Sequence, residues 1–303
     1  MKTDKITYYS NGKLLLTGEY LVLDGALALG VPTKFGQNLE TQPITAPKIE
    51  WRSFDKKGAV WFETVFDLPL SKTKESNTIK QTLQDILLQA QKINPAFLST
   101  NQGFKVQTNL GFPMDWGLGS SSTLINNIAQ WAKVNAFELL KNTLGGSGYD
   151  IACAQKDTPI LYQLVHEKPI VKPLAYTPVF KDQLYFVHLN KKQRSQREIV
   201  RYQNIKAGTK EAVNTVSEIT EFLVKTTKLD TFEILLKEHE KLLSSILKLP
   251  TIQDLQFKDY FGQTKSLGAW GGDFILATGN DDTPKYFREK GFETVLLYDE
   301  MVL

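Results

Sequence analysis

Residues Gly117-Leu118-Gly119-Ser120-Ser121-Ser122 run directly into Thr123–Ala132, an apolar stretch with helical spacing, and this junction limits what the chain can fold into. Glycines at 117 and 119 allow left-handed or close-approach backbone that a side chain would block, so the loop can wrap an anion. The first amides of the following helix have no partners within it and lie at the positive end of its dipole. A polyphosphate suits such a site, and the hydroxyls of Ser120, Ser121 and Ser122 can bind phosphate oxygens or a Mg2+ ion shared with them. The plainer reading is a serine N-cap behind a glycine turn, and the loop alone does not choose between the two.

The surroundings of the loop alternate between strand and helix signals, as layered α/β packing requires. Lys13–Leu16 and Tyr20–Leu23 read as buried strands, and Trp51 to Phe66 as a hairpin around Lys56-Lys57-Gly58. Ile79 to Ile93 has helical spacing, Gly103 to Leu110 alternates as a strand, and the helix behind the loop is expected to reach about Leu140. Gly145-Gly146-Ser147-Gly148 precedes a short helix, and Pro159 to Val165 returns as a strand. Lys168-Pro169 and Lys172-Pro173 read as rigid, extended punctuation. A chain of 303 residues is long enough for two ordinary domains, so 1–166 and 167–303 are the expected division. Beyond it, Leu184–Leu189 reads as a strand and 196–249 as three helical stretches, followed by strands at Asp273–Ala277 and Thr294–Tyr298 flanking a helix at Pro284–Lys290. Tyr8, Trp51 and Trp61 read as core aromatics.

Charge and cysteine content exclude several functions. Lys plus Arg at 36 against Asp plus Glu at 33 leaves a net +3, too balanced for a nucleic-acid surface, so a small-molecule partner is expected. Cys153 is the single cysteine, which excludes an internal disulfide and a cysteine-built zinc site and fits a reducing compartment. His166, His188 and His239 form no metal-ligand pattern and are expected at the surface or packed in the core. The first residues lead into no signal-peptide core, and Leu21 to Val31 carries Asp24 and is too short to span a bilayer. A soluble cytoplasmic protein with no membrane or nucleic-acid partner is expected; nothing decides its oligomeric state, which leaves a homodimer open.

The chain has no G-x-x-x-x-G-K-[ST], and Gly117-Leu118-Gly119 lacks the third glycine of a dinucleotide-binding fingerprint. Pro113-Met114-Asp115-Trp116-Gly117-Leu118-Gly119-Ser120-Ser121 instead resembles P-x-x-x-G-L-G-S-S, the signature of the GHMP kinases. Asn11-Gly12-Lys13 through Gly18-Glu19-Tyr20 resembles that family's first motif, with Asn11 where proline is usual. Lys265-Ser266-Leu267-Gly268-Ala269-Trp270-Gly271-Gly272-Asp273 resembles its third, with Trp270 where glycine is usual and where an indole would crowd the phosphates. Gly146-Ser147-Gly148-Tyr149-Asp150 resembles the S-G-x-D segment of the mevalonate branch. The four stretches stand in family order across residues 11 to 273.

The resemblance implies an α+β fold with a ribosomal-protein-like amino-terminal domain and a ferredoxin-like carboxyl-terminal domain, with ATP and acceptor meeting in the cleft between them. It implies an ATP-dependent phosphotransferase in which Gly117 to Ser122 hold the ATP phosphates and Ser121 approaches magnesium. Asp150 matches the catalytic base and Lys13 the lysine that neutralises the transferring phosphoryl group. Glu138 is the candidate second magnesium ligand, one residue out of the family's register. Gly18-Glu19-Tyr20 resembles phosphomevalonate kinases, which puts Glu19 and Tyr20 on the substrate side. Lys192, Arg194, Ser195 and Arg197 resemble a substrate loop whose cations would pair with a phosphate already on the acceptor. Gly268, Ala269, Gly271, Gly272 and Asp273 form the glycine-rich third motif. The implied acceptor is phosphomevalonate or mevalonate, with a sugar or another small alcohol, or a non-catalytic binder, as alternatives.

Overall fold

The computed structural model describes residues 4–74, 76–191, 200, 202–205 and 210–303. Two compact units make up the α+β chain: Met1–Gly12, Phe35–Met114 and Leu118–Gln155 form the first, and Lys13–Lys34, Asp115–Gly117 and Lys156–Leu303 the second. The units interleave in sequence, because strands β1 (Ile6–Thr17) and β2 (Ala28–Ile44) each run from one into the other.

In the first unit, β3 (Lys48–Phe54), β4 (Val60–Asp67) and β5 (Gly103–Leu110) join the later half of β2 in the order β4-β3-β5-β2. The expected hairpin is present as β3 and β4, its turn held by the Asp55 carboxylate, which accepts from the amides of Lys57 and Ala59. Period-two alternation buries Val106, Thr108 and Leu110 of β5 on one face. Thr108 is tolerated there because its hydroxyl donates to Ser53 Oγ, which also accepts from the Trp51 indole.

Helix α1 (Thr78–Ile93), capped by the Asn77 side chain, buries Leu83, Ile86, Leu87 and Ala90 in a core with Trp51, Phe62 and Val106. Helix α2 (Ser120–Ala132) adds Ile125, Ile128, Ala129 and Ala132. It does not continue to Leu140 as the apolar spacing suggests. Lys133 turns left-handed (φ 54°) and returns its amide to the last carbonyls of α2, and Asn135 then caps a separate helix, α3 (Ala136–Lys141). Helix α4 (Tyr149–Ala154) packs against α2. Asn126 and Asn127 sit buried on α2 in a closed polar network. Ser10 Oγ donates to Asn127, Asn126 to Ser10, Asn127 to the carbonyl of Gln37, and Thr123 Oγ1 to the Gln37 side chain at 2.6 Å. The start of α2 is thereby fixed against the strands.

In the second unit, β6 (Ile160–Val165) pairs with the start of β2, and β7 (Lys168–Pro173) pairs with β6. The extended, proline-punctuated stretch is therefore an edge strand, reached through His166 and Glu167 in left-handed conformation (φ 49° and 61°). Two prolines suit an edge, where an amide hydrogen is not needed on both sides. Residues 20–23, expected as a strand, instead enter a 3-10 turn, Leu21–Asp24, bounded by positive φ at Tyr20 and Gly25. A second, antiparallel sheet runs β11-β8-β10-β9, from β8 (Leu184–His188), β9 (Thr264–Ser266), β10 (Phe274–Thr278) and β11 (Val295–Leu297). All residues of β8, β9 and β10 are buried, so these strands lack an alternating pattern. Helices α5 (Lys210–Leu223) and α6 (Leu229–Leu247) pack together, α5 through Ala212 and Val216 and α6 through Leu243 and Leu247. No helix among the described residues is long and apolar enough to cross a membrane.

Candidate functional site

Gly117 (φ 64°) and Gly119 (φ 88°) both adopt left-handed backbone, and Gly119 is the N-cap of α2. The three serines are therefore the first turn of the helix rather than its cap. No side chain caps α2, in contrast to the Asn-capped α1 and α3. Its opening amides are thus left for an anion. Leu118 between the glycines is wholly buried and anchors the turn.

The serines divide the work. Ser120 and Ser121 line a cavity of about 280 Å³ in the first unit, with Trp51, Trp61, Phe62, Leu83 and Leu144 as apolar wall and Gln37, Ser53, Thr78 and Thr82 as polar points. Trp51 is core as expected, but Trp61 is 38% exposed and faces this cavity. Ser122 is buried and its hydroxyl donates to Asp150 Oδ2. The other carboxylate oxygen of Asp150 accepts from the Ile151 amide at 3.0 Å. Asp150 stands in the first turn of α4, where a carboxylate is favoured by the helix dipole. Glu138 lies exposed in the first turn of α3, and its amide donates to the Asn135 side chain.

In the second unit, Lys13 Nζ donates to the carbonyl of Gly117 at 2.9 Å, tying the first motif to the start of the phosphate loop. Asp273, itself left-handed (φ 51°), closes the other side: a Cβ on Gly117 would lie 2.2 Å from its Oδ2. The Asp273 amide donates to the carbonyl of Lys191, so the third motif is joined to the residue before the basic stretch. Lys192, Arg194, Ser195 and Arg197 lie outside the described residues.

Glu19 and Tyr20, expected at the substrate, are buried and engaged inside the unit. Glu19 Oε1 accepts from Lys265 Nζ at 2.5 Å. His239 Nε2 accepts from the Gly18 amide at 3.0 Å, so this nitrogen carries no proton and its 3.4 Å approach to Glu19 is not an ion pair. Burial, aided by the Lys265 charge, holds His239 well below the usual histidine range. Glu240 Oε1 accepts from the Ser266 amide at 3.1 Å, and burial pushes its carboxyl up to about 8, against the pull of Lys265 and with the push of Glu19. Burial also raises the Glu19 carboxyl, more than the Lys265 ammonium lowers it. The cluster thus ties Gly18-Glu19 of the first motif to Lys265-Ser266 of the third. The sequence signal for it was a polar pair, His239-Glu240, interrupting the apolar stripe Phe232, Leu236, Leu243 and Leu247 of α6.

Tyr20 Oη accepts from the Trp270 amide at 2.8 Å, and the Trp270 indole donates to the carbonyl of Pro250 at 3.1 Å. Trp270 is buried in a cluster with Tyr20, Tyr202, Leu243 and Leu247, so its indole fills core instead of crowding a phosphate. Gly268 and Gly271 take positive φ (71° each), with Ala269 buried between them. Gly272 donates its amide to the carbonyl of Ala269.

Among the described residues no cluster of three acidic, histidine or cysteine side chains could hold a metal ion. The hydroxyls of Ser120 and Ser121, hard oxygens of the kind magnesium takes, line the cavity.

No family model and no curated protein matches the sequence. Solved structures do. Methanococcus jannaschii mevalonate kinase is 16% identical, with 97% of this chain and 96% of that one covered and a TM-score of 0.71. Streptococcus pneumoniae phosphomevalonate kinase, in complex with phosphomevalonate and AMPPNP, is 19% identical, with 96% and 99% covered and a TM-score of 0.68. Lactococcus lactis galactokinase, complexed with galactose, is 14% identical, with 98% and 93% covered and a TM-score of 0.67. With the glycine-serine loop, the first and third motifs and these matches along nearly its whole length, the chain has the fold of the GHMP kinases.

Proposed function

We propose that the chain is an ATP-dependent small-molecule kinase that transfers the γ-phosphoryl group to a hydroxyl or phosphate of phosphomevalonate or mevalonate. The observation that carries this reading is the start of α2, which has no side-chain cap, stands behind two left-handed glycines and borders an aromatic-walled cavity. A nucleotide needs that combination: donors for its phosphates and a flat apolar slot with a few polar points for its base.

Phosphoryl transfer asks for charge neutralisation, positioning and a destination for the acceptor's proton. The amides of Ser120 and Ser121 and the ammonium of Lys13 would hold the negative charge of the phosphates. Ser121, with Glu138 as a further candidate ligand, would hold the magnesium that accompanies ATP, which would supply neutralisation of phosphate charge. Asp150 would accept the proton of a hydroxyl acceptor or orient that hydroxyl. Lys192, Arg194 and Arg197, with Ser195, would bind a phosphate on the acceptor. The phosphomevalonate assignment rests on Gly18-Glu19-Tyr20, Gly148-Tyr149-Asp150 and Asp273. A sugar or other small alcohol is the alternative acceptor, since the same fold occurs in a galactokinase that holds galactose.

The test is ADP release with magnesium and ATP across mevalonate, phosphomevalonate, homoserine, galactose and a no-acceptor control. Turnover with phosphomevalonate or mevalonate is expected; turnover with galactose alone would replace the acceptor, and ATP binding without turnover on any of them would point to an untested acceptor or to a non-catalytic binder. Charge reversal at Arg194 and Arg197 should raise the Michaelis constant for a phosphorylated acceptor, and an unchanged constant would remove these residues from the site.

A further inference from the structure

The triple serine holds a residue that phosphate binding does not explain. Ser121 is exposed and Ser120 lines the cavity with it, whereas Ser122, one step further around the helix, is only 6% exposed. Its hydroxyl donates to Asp150 Oδ2, 28 residues away on α4. Asp150 Oδ1 is held independently by the Ile151 amide at 3.0 Å. Helix α4 has no side-chain cap and begins at Gly148 (φ 86°), and among the described residues the restraint on Asp150 from beyond its own turn is the one Ser122 supplies. The mount is itself rigid: α2 is held by Thr123 on Gln37 and by Asn126 and Asn127 in the buried polar network, within one turn of Ser122.

We propose that Ser122 is a positioning residue for Asp150, fixing the carboxylate's rotamer through the hydrogen bond it donates. The inference rests on Asp150 being the proton acceptor in the function proposed above. It joins two motifs through one hydrogen bond: the loop that binds the nucleotide also orients the group that receives the proton.

The experiment compares wild type, Ser122→Ala, Ser122→Cys and Asp150→Asn. The Asp150 rotamer is read from crystal structures of wild type and the serine variants. Steady-state kinetics with ATP and phosphomevalonate accompany them. Ser122→Ala should turn the Asp150 carboxylate from its wild-type rotamer and lower kcat about tenfold, while the KM for ATP stays within about twofold. Ser122→Cys, of similar size and a weaker donor, should lower kcat by less, and it carries the test if Ser122→Ala does not fold. An unchanged Asp150 rotamer in either folded variant overturns the inference, whatever the acceptor. Unchanged kcat, with Asp150→Asn inactive, overturns it while leaving the kinase reading in place. Full turnover in Asp150→Asn removes the proton-acceptor role and the inference with it.

Discussion

The ammonium of Lys265 lies 2.5 Å from a carboxylate oxygen of Glu19, and almost none of either side chain reaches solvent. A buried pair of this kind is costly to split, because removing one partner strands the other charge in a low-dielectric interior. Lys265→Met or Glu19→Gln alone should destabilise the fold by about 3–5 kcal/mol in urea denaturation. The double substitution should cost well under the sum of the two, and strictly additive losses would show that the two groups are not coupled.

Glu240 should impose a pH slope on stability. Its carboxyl is pushed up to about 8 from 4.5 by burial. The charged groups that face it are Lys265, which pulls its carboxyl down, and Glu19, which pushes it up. Between those two values the folded state keeps a proton that the unfolded state has lost, so Glu240's contribution to stability falls as pH rises through that window and is level above it. Glu240→Gln stays neutral throughout. Thermal melts from pH 5 to 9 should therefore show the variant gaining on wild type up to about pH 8. Parallel curves would place the titration elsewhere.

Gly117 is required for two reasons, its left-handed φ of 64° and the Asp273 carboxylate 2.2 Å from where a Cβ would sit. Gly117→Ala should cost about 2 kcal/mol from the backbone conformation alone, and more from the contact. Adding Asp273→Gly should recover the contact part while leaving the conformational part. If the second change recovers nothing in Tm, the contact does not limit the position.

Trp61 is the exposed wall of the cavity that Ser120 and Ser121 also line. If a nucleotide base enters there, MgATP should change tryptophan fluorescence, and Trp61→Phe should remove most of that change while calorimetry still detects binding. A full signal in Trp61→Phe would move the base to another wall.

The opening of α2 was legible in the residues: two glycines, three serines and an apolar period predict a turn that runs into a helix, and α2 starts at Ser120 behind left-handed Gly117 and Gly119. Local chemistry decides such a feature, because φ > 0, orphan amides and small hydroxyls act within a few residues. The hairpin of β3 and β4, helix α1 and the β10-α7-β11 succession, with α7 at Thr283–Glu289, were legible for the same reason. Boundaries set by single residues were not. Lys133 in left-handed conformation split one expected helix into two, and His166-Glu167 turned the extended stretch after them back onto the sheet as an edge strand.

Roles that depend on partners distant in sequence were decided by tertiary structure alone. Nothing in Gly18-Glu19-Tyr20 announces that the carboxylate meets a lysine 246 residues later or that the tyrosine holds the backbone of Trp270. The same holds for Ser122, whose place at the start of a helix is evident from the sequence while its bond to Asp150 is not. The sequence by itself determined the local conformations of the loop, because these follow from backbone sterics and unpaired amides. Which side chains are exposed to a ligand and which are spent on one another was decided only when strands and helices far apart in the chain were packed together, since burial and partnership belong to the fold and not to any segment.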